Sequence, residues 1–134
     1  MKSLSLVIML ALGACAYVDE RIPISYEVTD DADNEMIVLR YTNDFDHALC
    51  LSTDQWPNSK GVVDRSPDSV LLHVGGQVFR MDYAETGYCP GCAVEARPEQ
   101  TIVGRLPYAR FQLPAEFYSA PKQLEMDVLA TKCQ

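Results

Sequence analysis

From Ile24 to the carboxy terminus, apolar residues recur at every second position, and the runs are short. Ile24, Tyr26 and Val28 alternate with polar neighbours until the turn-forming stretch DDADN, residues 30–34. Met36 to Thr42 carries Ile37, Leu39 and Tyr41 on one face, NDFDH interrupts it, and ALCLS resumes the pattern. A period of two places alternate side chains on opposite faces of a strand, so the chain is bound to build half-buried strands. Only PAEFYSA, residues 114–120, suggests a helix, and one of a turn or two.

Val70–Val74 and Gln77–Tyr83 flank Gly75-Gly76, the signature of a tight β-hairpin. Thr101–Leu106, the stretch from Arg110 to Leu113, and an alternating run through Leu124, Met126, Val128 and Ala130 supply further strands. The expected fold is an antiparallel immunoglobulin-like β-sandwich of six to eight short strands, disulfide-bonded, over residues 24–134. Prolines at 57, 67, 90, 98, 107, 114 and 121 fall between the runs, where no ladder hydrogen bond is lost. The segment from Ser52 to Ser69 reads as a long loop, with room for a short strand at Gly61–Val63; loops of this length are often functional.

The first residues follow different rules. MKSLSLVIMLALGAC has a lysine at position 2, an apolar run from Leu4 to Leu12, and then small residues. This is the layout of a secretory signal, and the run is shorter than the ~20 apolar residues a membrane-spanning helix needs. Leu12-Gly13-Ala14-Cys15 resembles the bacterial lipobox. The resemblance implies cleavage before Cys15, a diacylglycerol on its sulfur and acylation of the new amino terminus. Residues 1–14 are then a lipoprotein signal peptide and residues 15–23 a lipidated tether. Alanine at position 16 implies, by the same resemblance, export to the outer membrane, facing the periplasm. The rival is ordinary signal cleavage after Ala16, at the small-x-small stretch Ala14-Cys15-Ala16. Loss of residues 1–14 removes one lysine and takes the net charge from −8 to −9. So acidic a domain is repelled by nucleic acid, and any charge-steered partner would be a basic envelope protein.

Four cysteines remain after Cys15: Cys50, Cys89, Cys92 and Cys133. An even number in an oxidising compartment points to two disulfides. Loop-closure entropy does not choose among the three connectivities. Cys89-Pro90-Gly91-Cys92 has Pro and Gly where a type II turn wants them, and such a turn brings its outer residues within disulfide reach. The expected pairs are therefore Cys89–Cys92 and Cys50–Cys133. Cys-x-x-Cys also serves thiol–disulfide enzymes, whose first thiol sits at a helix amino terminus within a βαβ unit. Here AVEARPEQ follows Cys92 as strand or loop, which favours a staple over a redox pair.

Other chemistry finds little footing in the sequence. His47 falls in a turn and His73 in the VLLHV strand, without nucleophile motifs around them. DDADNE resembles a calcium loop, but Met36 stands at its sixth position and Thr42 at its twelfth, so the EF-hand pattern fails. Neither a metal, nor a cofactor, nor an enzymatic activity is expected. Aromatic residues supply the binding candidates: Trp56 in the long loop, whose weightier reading is as a cap on one end of the sandwich core, Tyr88 beside Cys89, and Tyr108 beside Pro107. The function expected is that of a small exported lipoprotein that binds another protein or a ligand. A sharper form is an inhibitor or immunity-type protein, since such lipoproteins resemble lysozyme inhibitors in size and charge.

One acyl chain holds a protein to a bilayer only marginally, whereas two or more hold it stably. Cys15→Ser is therefore expected to move the protein from the membrane to the soluble fraction on envelope fractionation; unchanged membrane attachment would refute the lipobox.

Overall fold

The computed structural model describes residues 20–82 and 93–134. Among these residues ten strands form three antiparallel sheets: β1 Ile22–Pro23, β2 Glu27–Asp31, β3 Met36–Thr42, β4 Leu49–Ser52, β5 Leu71–Val74, β6 Gln77–Arg80, β7 Ala93–Ala96, β8 Thr101–Pro107, β9 Lys122–Glu125 and β10 Leu129–Lys132. Their orders are β1-β10-β4-β7, β2-β3-β8 and β6-β5-β9. The inward residues of all three sheets meet in one apolar core, with Leu39, Leu49, Leu51, Leu72 and Leu106 fully buried at its centre. The fold is thus an all-β antiparallel sandwich, as the period of two requires.

Gly75 and Gly76 both have positive φ, and they close the β5–β6 hairpin with Val74 opposite Gln77. Both central positions of such a turn sit in the left-handed region, where a side chain is strained. Cys50 and Cys133 are bonded, with their α-carbons 5.1 Å apart, tying β4 to the end of the chain. The pair expected at Cys89–Cys92, together with Tyr88, lies outside the described residues.

Four expectations are corrected. The run Ile24–Val28 is not one strand: the chain pairs first at Ile22–Pro23 with Leu129–Ala130, then leaves the sheet and re-enters another at Glu27. The first described strand therefore lies within the stretch that reads as tether. Arg110–Leu113 is not a strand either, because Tyr108–Phe111 forms a 3-10 turn closed by Gln112 in the left-handed region. Gly61–Val63 is buried but makes no ladder; Asn58 instead gathers this loop, its side chain accepting from the N–H of Lys60 and of Val62. PAEFYSA does make its short helical turn, at Ala115–Phe117.

The fourth correction shapes the molecule most. The alternating run through Leu124 and Ala130 is two strands in two different sheets, β9 beside β5 and β10 between β1 and β4. Alternation carries straight through the break, so no sequence period marks it.

A disulfide that closes a loop of this span, 83 residues apart in sequence, restricts the unfolded chain strongly. Replacing Cys50 and Cys133 together by serine is expected to cost about 2–5 kcal/mol in urea unfolding, by the usual range for a native bridge in a small exported domain.

Candidate functional site

The break between β9 and β10 leaves backbone polar groups without ladder partners, and side chains from elsewhere satisfy them. Tyr26 donates its hydroxyl to the carbonyl of Met126. Arg65 donates through Nη1 to the carbonyl of Asp127 at 2.9 Å and through Nη2 to Gln55 Oε1 at 2.9 Å. The same Gln55 oxygen accepts from the N–H of Leu129 at 2.9 Å, and Ile24 donates its N–H to the carbonyl of Val128 at 3.1 Å. A buried backbone group without a partner costs roughly 1–3 kcal/mol, so these contacts are what permit the strand to change sheets.

Beside this break runs an open groove of about 550 Å³, walled by Pro23–Tyr26 on one side and Met126–Leu129 on the other, with Arg65 at its base. Directly after the Tyr26 wall and before the Met126 wall come β2 and β9, which among the described residues are outer strands of their sheets. A second tie crosses the flank. Lys122 of β9, its side chain 1% exposed, reaches Asp30 of β2 at 2.9 Å. It also donates to the carbonyls of Tyr118 at 2.6 Å and Ala120 at 3.0 Å, and lies 4.7 Å from the centre of the Tyr108 ring. Tyr108 completes the knot by donating its hydroxyl to Asp30. A buried ammonium needs such full pairing, because desolvation otherwise outweighs a single ion pair. Between the Tyr26 and Asp30 ties stands Val28, 43% exposed.

Two of the aromatic candidates are core residues, Trp56 as its core-capping reading has it and Tyr108 against its reading as a surface residue. Trp56 is 1% exposed and Tyr108 is fully buried, so neither is a surface anchor. Trp56 packs edge-on to Tyr26 at 6.0 Å and lies over Gly104, where a β-carbon would come within 3.1 Å of the indole and 2.7 Å of Pro57. The glycine in β8 makes room for the loop to fold inward, and that turns a long loop into core. The Tyr108 and Tyr118 rings pack at a tilt of 54°, their centres 5.0 Å apart. The structure thus brings Trp56 and Tyr108 to the inner side of the flank, while the residues that face outward there, Val28 above all, carry no sequence motif.

The histidines take part in surface pairs. His73 Nε2 is 2.7 Å from Glu125, linking β5 to β9, and His47 Nδ1 is 2.8 Å from Asp46. The His47 hydrogen bond and charge hold the Asp46 carboxyl below its ordinary range. Asn43, wholly buried, donates to the carbonyls of His47 and Ala96 and accepts from the N–H of Phe45, so it shapes the NDFDH turn. Among the described residues no group of three His, Cys, Asp or Glu side chains is placed to hold a metal ion.

Burial, followed by the nearby Asp127 carboxylate, raises the Tyr26 hydroxyl from 10.0 to about 12, with Arg65 opposing. Burial, and then the Asp30 hydrogen bond, raises Tyr108 as well. Tyr26 folds as a neutral phenol, so its contribution is fully present below pH 10.0 and is lost as pH climbs through about 12, and the raised Tyr108 acts in the same direction. Stability is therefore expected to fall across that interval. Tyr26→Phe is expected to flatten the alkaline slope while costing about 1 kcal/mol at neutral pH for the lost hydrogen bond, both read from urea unfolding against pH.

Comparison with models of known protein families, with curated proteins and with solved structures finds no match to this chain.

Proposed function

We propose that this protein is a lipid-anchored component of the bacterial cell envelope, attached through Cys15 to the outer membrane and facing the periplasm, whose sandwich binds another protein without catalysing a reaction. The observation that carries this reading is the open flank: a groove between residues 23–26 and 126–129, followed by the outer strand β2 with Val28 exposed between the Tyr26 and Asp30 ties. The polar groups around it, Gln55, Arg65, Lys122 and the two tyrosines, are engaged in holding the flank in shape. A rigid surface loses little entropy on association, which favours recognition. The Cys50–Cys133 bond supports the oxidising compartment that the signal and lipobox imply. Cys89 and Cys92 enter the proposal as a second staple.

A more specific form is an inhibitor or immunity-type protein against a basic envelope enzyme such as a lysozyme. The acidity of the flank favours it, since Glu27, Asp30, Asp31, Asp33 and Glu35 fall within nine residues that contain no lysine or arginine.

The soluble domain from Ala16 onward, immobilised and exposed to envelope extract, is expected to retain a discrete basic protein whose retention weakens as salt is raised. The protein identified by mass spectrometry should then bind saturably when purified. Retention of acidic proteins instead, or no saturable binding by any retained protein, would overturn the reading.

A further inference from the structure

The outer edge of β2 is shaped to receive a strand. β3 lies between β2 and β8, and the hydrogen bonds along β8 reveal which way each residue of β3 points. Tyr108 donates its N–H to the carbonyl of Glu35, and at the other end Asn43 donates to the carbonyl of Gln100. Between them, Met36 faces Pro107, which has no N–H to give. In an antiparallel ladder both polar groups of a residue point to the same side, and the side alternates. Ile37, Leu39 and Tyr41 therefore turn their polar groups to β8, and Met36, Val38 and Arg40 turn theirs to β2. The β2 residues opposite those three are Asp31, Thr29 and Glu27. Val28 and Asp30 are left with N–H and C=O directed away from the sheet, at an edge with which no strand among the described residues pairs. Two residues spaced by one are the repeat that an added antiparallel or parallel strand pairs with.

Charge decides which strand. The edge and the turn after it carry the five carboxylates named above, and the nearest buried cation, Lys122, is already engaged by Asp30 and two carbonyls. An acidic edge repels the edge of another copy of this chain, the usual protection against self-pairing. The same charge attracts an extended segment rich in lysine and arginine. We propose that β2 binds a basic partner by strand addition, with the main-chain groups of Val28 and Asp30 forming the new ladder and the carboxylates around them selecting the partner's charge. This rests on the binding function above and names its surface and the chemistry of its partner.

The test uses the full mature protein in neutral detergent and a capped hexapeptide, Thr-Lys-Val-Arg-Thr-Lys, as the probe. Saturable binding is expected by fluorescence titration, with slowed hydrogen exchange at Val28 and Asp30. Val28→Pro removes an edge N–H that β3 does not use, at a position where a strand tolerates proline. It is expected to weaken binding about tenfold, the scale of losing one or two main-chain hydrogen bonds, while Val28→Thr leaves it unchanged. Because proline in the protein also bears on folding, a hexapeptide of the same charge with proline for valine provides the second arm and is expected to bind weakly. Equal binding of the two peptides, exchange slowed elsewhere, or no binding would overturn the proposal. If Val28→Pro still retains the basic envelope protein undiminished, strand addition fails and the binding function stands.

Discussion

The run from Lys122 to Lys132 passes from one sheet to another without a turn, and the sandwich exists in this form because the carbonyls and N–H groups bared at that passage find partners. Gln55 and Arg65 come from the long loop, Tyr26 from the segment between β1 and β2, and Ile24 from the chain beside it. Each of these contacts spans a large sequence distance, so they form only when the sheets have come together. They also explain why the loop after β4 is inside the molecule. Gln55 and Trp56 must be buried for the Gln55 carbonyl oxygen to meet Leu129 and Arg65, and Gly104 provides the space.

The flank follows from the same passage. With β9 ending at Glu125 and β10 starting at Leu129, β9 is left as an outer strand next to the outer strand β2, and the two are tied by side chains instead of a ladder. Lys122 and Asp30 make the tie inside the protein, where a lysine persists only when every donor is matched. The result is a tied border with an open groove and an edge whose main-chain groups at Val28 and Asp30 have no strand partner among the described residues. Rigidity and an unfilled edge are the two features that strand addition asks of a receptor.

The one motif-like stretch in the flank, DDADNE, fails the calcium-loop pattern, and nothing else there marks an interface in the sequence. Val28 is one of many valines, and Asp30 and Lys122 are 92 residues apart. Trp56 and Tyr108 draw attention in the sequence because exposed aromatics anchor partners, yet both serve the core. An aromatic beside a proline looks the same whether its loop folds outward or inward, and here a glycine on a distant strand settles the direction. The acidity of residues 27–35 was legible from the start, but its meaning depends on β2 being an outer strand.

Local sequence alone determined the all-β class, the strand at Met36–Thr42 and the Gly75-Gly76 hairpin, because alternation and φ preferences act between near neighbours. It also pointed to the Cys50–Cys133 pair, because Pro90-Gly91 predicts a turn that would join Cys89 to Cys92. Only the tertiary structure decided where the last alternating run divides, which loop becomes core, and which edge stays open. Those outcomes depend on hydrogen bonds and packing between residues far apart in the chain, and a two-residue period is identical on either side of them.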